Sequence, residues 1–241
     1  MIKQIYSKYT EEDHRVWTAL FSRIMLLLPE TADKWVLEGL KKMGFPSDHI
    51  PDFHDINKRI STFTDWELVP LEKMVEDNEF IGMLADNKYP CRTWIRTPQQ
   101  LEAEIDEYDI FHDVIGHTPL LTRPNYCNYL RGLGKLAQEY LDNKKAISLL
   151  KRVYWHTIQF GLKASDHDLK IYGAHLLSSR SETIYCFSAG VPKYDFNVSK
   201  IMDTPYVNHR FQEKYFTINN FEQLFDNLDA IKAEIEKRLN T

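Results

Sequence analysis

The chain has 241 residues, of which 43% are hydrophobic and 27% charged, and its formal net charge is -5. This composition is typical of a packed globular protein rather than a disordered one. The net negative charge excludes a general electrostatic attraction to nucleic acid or to an anionic membrane, so we expect neither as a partner.

The first predicted element is a helix that follows Thr10. Apolar residues recur at helical spacing between positions 16 and 28, and Thr10 is placed to cap the helix. A second helix is predicted over residues 31–43, because Gly44 ends the apolar pattern and Pro46 lies just beyond it. One face of each helix is apolar, which predicts that both pack against a core.

The rest of the chain is predicted to be mostly helical with a small β element. Residues 60–98 combine apolar positions with three prolines, which predicts short helices and one small strand pair. Residues 191–216 lack clear periodicity and are predicted to hold a short β-hairpin. No internal repeat or linker divides the chain, so we expect one mainly α domain over residues 1–241. Helical periodicity dominates in the segments 126–141, 146–162, 171–187 and 221–239.

A pair of histidines, His112 and His117, lies in the segment FHDVIGHTPLL that covers residues 111–121. On an ideal α-helix their five-residue spacing turns the two side chains about 140° apart, so a regular helix does not bring them to one ion. Convergence requires the helix to end or distort between them, and Gly116 with Pro119 supplies such a break. The alternative is two ordinary histidines near a helix end.

Two acidic residues, Asp109 and Asp113, flank the first of these histidines. A carboxylate that accepts the spare ring N–H of a ligand histidine fixes its tautomer, and either residue could do so for His112. The alternative is a charged helix start, where acids favour the positive end of the helix dipole.

The segment FHDVIGHTPLL closely resembles the iron-binding motif of the pterin-dependent aromatic amino acid hydroxylases. Residues 94–98 (WIRTP), 154–162 (YWHTIQFGL) and 172–182 (YGAHLLSSRSE) resemble further segments of that family in the same order. The resemblance implies a single-domain, mostly helical basket with a small β element and an iron near its centre. It also implies the bare catalytic domain, without a regulatory or tetramerisation segment, as a monomer or small homo-oligomer.

The resemblance implies a metal site in which His112 and His117 are ligands. The family has a glutamate as third ligand, but this chain has Gln159, whose neutral amide does not offset the charge of the metal. We therefore expect a lower affinity for iron.

A second departure from the family is His175, which stands where the family has a glycine. His175 shares a helix face with Ser178, whose family equivalent lies beside an iron-bound histidine. We expect His175 to complete a three-imidazole site, with Gln159 as a weak fourth ligand or a hydrogen-bonding group. Such a site favours copper more than the parent site does. The alternative is that His175 lines the pocket and alters substrate choice.

The resemblance assigns substrate binding to Arg96, Trp155 and Ser178, which offer a guanidinium for a carboxylate, an aromatic wall and a hydroxyl. Read without it, they are a surface arginine, a core tryptophan and a helix serine. Tyr108 replaces a family proline beside this pocket.

The pterin pocket implied by the resemblance is only partly kept. Lys73 and Lys151 replace small residues there, which leaves the use of tetrahydropterin open. Asp113 stands where an acidic neighbour of the pterin is expected, and we count it with Gln159 as a candidate catalytic residue. The remaining cofactor-binding candidates are Met74, Val75, Phe80 and Tyr154.

Our leading hypothesis is a mononuclear Fe(II) or copper oxygenase that uses dioxygen to oxidise an amino acid, expected to be aromatic. One alternative is a pterin-independent copper or iron oxygenase of an altered amino acid that uses three histidines. Another is an inactive descendant that binds an amino acid or a pterin.

The compartment is predicted from the cysteines and from hydropathy. Three scattered cysteines favour neither a disulfide framework nor a cysteine zinc site. No apolar run approaches the roughly 20 residues of a membrane span, and the amino terminus lacks a signal core. We therefore expect a cytoplasmic protein.

Overall fold

The computed structural model describes residues 3–71, 77–101, 107–165, 168–207 and 210–240. Its strands are β1 (Glu67–Leu71), β2 (Lys88–Arg92), β3 (Leu162–Ala164), β4 (Leu169–Ile171), β5 (Lys193–Asp195) and β6 (Tyr215–Ile218). Its α-helices are α1 (Glu11–Met25), α2 (Leu28–Thr31), α3 (Lys34–Met43), α4 (Phe53–Ile60), α5 (Asp77–Ala85), α6 (Pro124–Glu139), α7 (Lys144–Tyr154), α8 (Ala174–Ser178), α9 (Arg180–Cys186), α10 (Val198–Asp203), α11 (Glu222–Asp226) and α12 (Leu228–Leu239).

The other described elements are 3-10 helices and π-helices. Short 3-10 helices cover Tyr6–Lys8, Pro98–Gln100 and Thr118–Thr122. The first π-helix is His112–His117 and the second π-helix is Trp155–Gln159. The predicted mainly α architecture with a small β element is confirmed.

The helices near the amino terminus begin and end where their capping residues stand. Thr10 accepts a hydrogen bond from the backbone N–H of Asp13, whose carboxylate accepts one from Thr10 N–H, as the sequence predicted. Helix α3 begins at Lys34 rather than at position 31, because the Asp33 side chain caps it. It ends at Gly44, whose φ of 53° is in the left-handed region that favours glycine.

Two small sheets connect the helices. Strands β1 and β2 are parallel and are joined through α5, which fits the predicted strand pair. The second sheet has the order β4-β3-β6-β5, and only β3 with β4 is antiparallel. The hairpin predicted in residues 191–216 is wrong, because β5 and β6 are parallel and α10 lies between them.

Three predicted long helices are shorter or divided in the structure. The helix predicted over residues 221–239 is α11 followed by α12. The helix predicted over residues 146–162 becomes α7 and then the second π-helix, and Leu162 belongs to β3. The helix predicted over residues 171–187 is two short helices, because Ser179 leaves the helical conformation and caps α9.

The core packs directly against the segment that carries the first π-helix. Trp17 of α1 meets Phe111 edge to face at 5.2 Å, and both rings are fully buried. The indole N–H of Trp17 donates to the carbonyl of Pro46 at 2.9 Å. Within the described ranges, no helix combines the length and the apolar character that crossing a membrane would require.

Candidate metal centre

The two predicted ligands, His112 and His117, are the end residues of the first π-helix. A π-helix joins residues five apart by hydrogen bonds, so that spacing places both side chains on one face. Their Nε2 atoms are 3.3 Å apart, and their ring planes meet at 80°. The helix does not end between the two histidines but distorts, which is one of the two predicted possibilities: it widens into a π-helix and then tightens into the 3-10 helix Thr118–Thr122.

Gly116 has a packing role in this arrangement. A Cβ atom at this position would lie 2.5 Å from the carbonyl oxygen of Ala174, so only glycine lets α8 approach the first π-helix so closely. Helix α8 thereby brings Ser178 to His112, with 2.8 Å between the hydroxyl oxygen and Nδ1.

This serine sets the tautomer of His112. The Ser178 hydroxyl is placed to donate to the carbonyl of Ala174 at 2.9 Å, so it accepts from the N–H at Nδ1 of His112. The Nε2 atom of His112 then carries a lone pair on the side that faces His117. The partner of the spare ring N–H is therefore Ser178, and not an aspartate as the sequence suggested.

Burial keeps both imidazoles neutral. Each residue is 1% exposed. Burial lowers the pKa of His112 and of His117 well below the usual value, and the positive charge of Arg92 acts in the same direction. Two imidazoles bound at right angles with bonds of about 2.1 Å have nitrogens about 3.0 Å apart, so the observed geometry suits a shared cation.

Asp113 lies next to the pair but is engaged by an arginine. Potential ligand atoms of His112, Asp113 and His117 all lie within 4.8 Å of one another. The Asp113 carboxylate accepts from the backbone N–H of Arg92 at 2.7 Å and from its guanidinium at 2.8 Å. Burial raises the pKa of Asp113 to about 6, and Arg92 opposes that rise.

A second buried ion pair joins Asp109 and Arg96. The guanidinium donates to the carboxylate at 2.7 and 3.1 Å, and the same carboxylate accepts from the backbone N–H of His112 at 3.1 Å. Sequence reasoning missed the pairing of both arginines. The sequence contains a signal for this pairing: Arg92 and Arg96 are four residues apart, and Asp109 and Asp113 have the same spacing.

Gln159 ends the second π-helix and is 3% exposed. Its amide oxygen accepts no hydrogen bond from any described residue. A buried carbonyl oxygen without a donor is costly, so the site fits a cation or a hydrogen-bond donor. Helix α8 packs against both the first and the second π-helix.

The structure does not bring His175 into the same group of ligand atoms. Its ring stacks on Phe160 at 4.6 Å, and its Nε2 lies 3.4 Å from a carboxylate oxygen of Glu182. The centre of its ring is 6.1 Å from that of His112. Glu182 also accepts from the Tyr215 hydroxyl at 2.7 Å. The role of His175 as a ligand stays a prediction.

Two of the predicted pterin contacts, Phe80 and Tyr154, pack around Tyr89 close to His117. Tyr154 and Tyr89 share a hydrogen bond of 3.0 Å between their hydroxyls, and Phe80 meets both rings edge to face. Tyr89 in turn lies 4.4 Å from the ring of His117. The other two candidates, Met74 and Val75, lie outside the described residues.

Two aromatic residues line the side of the pair near His175. The indole N–H of Trp155 donates to Gln212 at 3.2 Å, and its ring stacks on Tyr206 at 4.5 Å. Tyr108 lies flat on His112, with ring centres 3.7 Å apart and planes 9° apart. The sequence marked Tyr108 as a substitution but did not place its ring on a predicted ligand.

Comparisons with known proteins show the family of this chain. A family model described as biopterin-dependent aromatic amino acid hydroxylase matches residues 2–241. Phenylalanine-4-hydroxylase of Chromobacterium violaceum is 38% identical over 226 residues, which cover 93% of this chain and 75% of that protein. The corresponding enzyme of Ralstonia nicotianae is 38% identical over 228 residues, which cover 93% and 72%.

Solved structures of the Chromobacterium violaceum enzyme have the same fold. The structure with bound oxidised Fe(III) has a TM-score of 0.94 and 37% identity, with 99% of this chain and 86% of that chain covered. A second structure, with iron(III) and the oxidised cofactor 7,8-dihydrobiopterin, has a TM-score of 0.93 at the same identity and coverage.

Proposed function

Because this chain belongs to the family of biopterin-dependent aromatic amino acid hydroxylases, we propose that it binds iron and hydroxylates an amino acid with dioxygen. The observation that carries this proposal is the separation of 3.3 Å between the Nε2 atoms of His112 and His117. The Ser178 hydroxyl also supports the proposal. It binds the N–H at Nδ1 of His112 and so leaves the lone pair on Nε2, on the side that faces His117. The ion would supply oxygen activation, and the side chains would hold and orient the reactants.

Iron is preferred to copper as the proposed metal. The solved relative described above holds iron, and the comparisons offer no support for copper. Gln159 is proposed as the third protein ligand through its amide oxygen, because that atom is buried without a donor. The proposed ligands, two imidazoles and an amide, then carry no negative charge. We therefore propose a lower affinity for iron than that of a site with a carboxylate ligand.

A pterin is proposed as the electron donor. A relative structure contains 7,8-dihydrobiopterin, and Phe80 and Tyr154 form an aromatic corner beside the histidine pair. The guanidinium of Arg92 lies 5.9 Å from the ring of Phe80 and adds positive charge there. Met74 and Val75 remain proposed contacts.

The substrate is proposed to be an aromatic amino acid. Arg96 offers a guanidinium that Asp109 holds in place, and Trp155 offers an aromatic wall. His175 with Glu182 adds a polar pair on the same side, which favours a substrate other than plain phenylalanine. We also propose that residues 1–241 act as one catalytic domain, as a monomer or small homo-oligomer.

Metal analysis and oxygen uptake test this proposal together. The purified chain is reconstituted with ferrous iron, and oxygen consumption is measured with each aromatic amino acid, with and without tetrahydropterin. We expect one iron per chain and pterin-dependent oxygen uptake coupled to a hydroxylated amino acid. Uptake without pterin would instead support the pterin-independent alternative. Absence of bound metal after reconstitution would leave an amino acid or pterin-binding protein.

A further inference from the structure

The ring of Tyr108 is held against a predicted metal ligand from several directions. It is parallel to His112 within 9°, with ring centres 3.7 Å apart. The guanidinium carbon of Arg92 lies 5.6 Å from the same ring. The rings of His175 and Trp155 lie 5.6 and 6.3 Å away. The ring therefore packs between His112, Arg92 and His175, beside the proposed metal site.

The stacking fixes how far this ring lies from an ion in the site. An ion bound to Nε2 of His112 lies in the imidazole plane, about 3 Å from the ring centre, because the bond is about 2.1 Å long. Because the two ring centres are 3.7 Å apart, such an ion would lie about 5 Å from the centre of the Tyr108 ring. A reactant held between His112 and the Tyr108 ring would then come within roughly 3–3.5 Å of a ring carbon, the separation of aligned reacting atoms.

We propose that Tyr108 is itself hydroxylated by the site when no amino acid is bound, to give a catechol side chain. This inference rests on the proposed oxygenase function. The C–H bond next to the hydroxyl-bearing carbon breaks and a C–O bond forms there, while the O–O bond of dioxygen breaks. The second oxygen atom leaves as water, and a tetrahydropterin supplies two electrons and two protons as it becomes a dihydropterin.

Tyr89 is the competing target, because its ring also lies near a predicted ligand. Its ring centre is 4.4 Å from that of His117, with the planes tilted by 31°. Tyr89 is fully buried and its hydroxyl is bonded to Tyr154, on the side of the predicted pterin contacts. Tyr108 is half-buried and lies on the side of Trp155, where the substrate is proposed to bind. The geometry therefore favours Tyr108 as the residue modified.

Peptide mass analysis can locate the modification. The iron-reconstituted full chain is given tetrahydropterin under oxygen-18 gas, without amino acid, and is then alkylated and digested with trypsin. The peptide of residues 97–131 contains Tyr108 together with Tyr126 and Tyr129, and it lacks methionine and tryptophan. Tyr126 packs on Phe221 and is an internal control. We expect one oxygen-18 atom on Tyr108 and none on the other two tyrosines.

Three variants sharpen the test. Tyr108→Leu is expected to retain iron and to lose the label from this peptide. Tyr108→Phe keeps an aromatic ring at the same place and is expected to gain oxygen-18 at that position. His117→Ala, which removes a metal ligand, is expected to abolish the label in an otherwise intact peptide.

The outcomes separate the inference from the function on which it rests. If the sample holds iron and consumes oxygen with an amino acid, but Tyr108 carries no label, the inference is wrong and the function stands. Label on Tyr89, or spread equally over the three tyrosines of the peptide, also overturns the inference. If no iron binds and no oxygen is consumed, both fail together.

Discussion

The two π-helices make different contributions to the proposed metal site. The first π-helix supplies two buried, neutral imidazoles with Nε2 atoms 3.3 Å apart. The second π-helix ends in Gln159, an uncharged amide where the family has a glutamate. The geometry of the proposed site and its charge balance therefore come from separate elements. This chain keeps the geometry of the histidine pair and has changed the charge at the third proposed ligand.

Removing an imidazole from the first π-helix should have the largest effect. His117→Ala leaves one histidine and an amide, so we expect iron affinity to fall about 1,000-fold, given the free energy that several ligands together contribute to metal sites. Equilibrium titration with ferrous iron measures the change. His54→Ala removes an exposed histidine and is the matched control. Equal affinity in the two variants would show that His117 does not bind the ion.

Restoring the charge on the second π-helix should have the next largest effect. Gln159→Glu adds a carboxylate at the proposed third ligand, and an attraction of a few kcal/mol between close charges corresponds to about a 100-fold gain in iron affinity. Gln138→Glu makes the same chemical change on the exposed face of α6 and should leave the affinity unchanged. The account of Gln159 fails if the two variants behave alike.

The second π-helix also contains a histidine that we expect to act in packing alone. His156 is 2% exposed, lies 3.3 Å from the carbonyl of Thr204, and burial lowers its pKa to about 4. The pKa of His156 is lower in the folded than in the unfolded protein, so the packed neutral imidazole contributes stability above about pH 6.5. This contribution is lost as the pH falls toward 4.

A denaturation experiment tests this role of His156. Lowering the pH from 7 to 5 should decrease the free energy of unfolding of the unaltered chain. The decrease should be about 2 kcal/mol smaller in His156→Phe. Iron affinity at pH 7 should not change. Urea unfolding at both pH values measures the difference, and His54→Gln is the control. An unchanged pH dependence in His156→Phe would contradict the assignment.

The smallest expected effect concerns the hydrogen bond that supports the first π-helix. Ser178→Ala removes the acceptor for the Nδ1 N–H of His112, and loss of such a partner weakens metal binding about tenfold. Ser178→Thr keeps a hydroxyl and should bind iron more tightly than the alanine variant does. Identical affinities would show that the hydroxyl does not position the imidazole.

Much of the fold could be predicted from local signals. Thr10 and Gly44 mark helix ends because a side-chain cap and a left-handed residue act within a few positions of the chain. The parallel pairing of β5 with β6 could not be predicted, because register between distant strands depends on the whole fold. The family match and the solved relatives confirm the predicted fold class.

The site was predictable in its members and not in its geometry. The resemblance led us to propose His112, His117 and Gln159 as ligands, and spacing required the helix to end or distort for the two histidines to converge without showing which form this takes. A π-helix adds one residue to a turn, and its stability comes from tertiary packing such as the contact of Gly116 with α8. The stacking of Tyr108 on His112 likewise depends on neighbours that sequence spacing does not reveal.

Anomalous diffraction at the iron edge, from crystals of the iron-reconstituted chain, locates the ion and shows whether His112 and His117 share it. We predict one strong peak within about 2.2 Å of the Nε2 atoms of both His112 and His117, with the amide oxygen of Gln159 turned toward it. A peak that contacts neither imidazole, or no peak after reconstitution, would show that His112 and His117 do not share an iron ion.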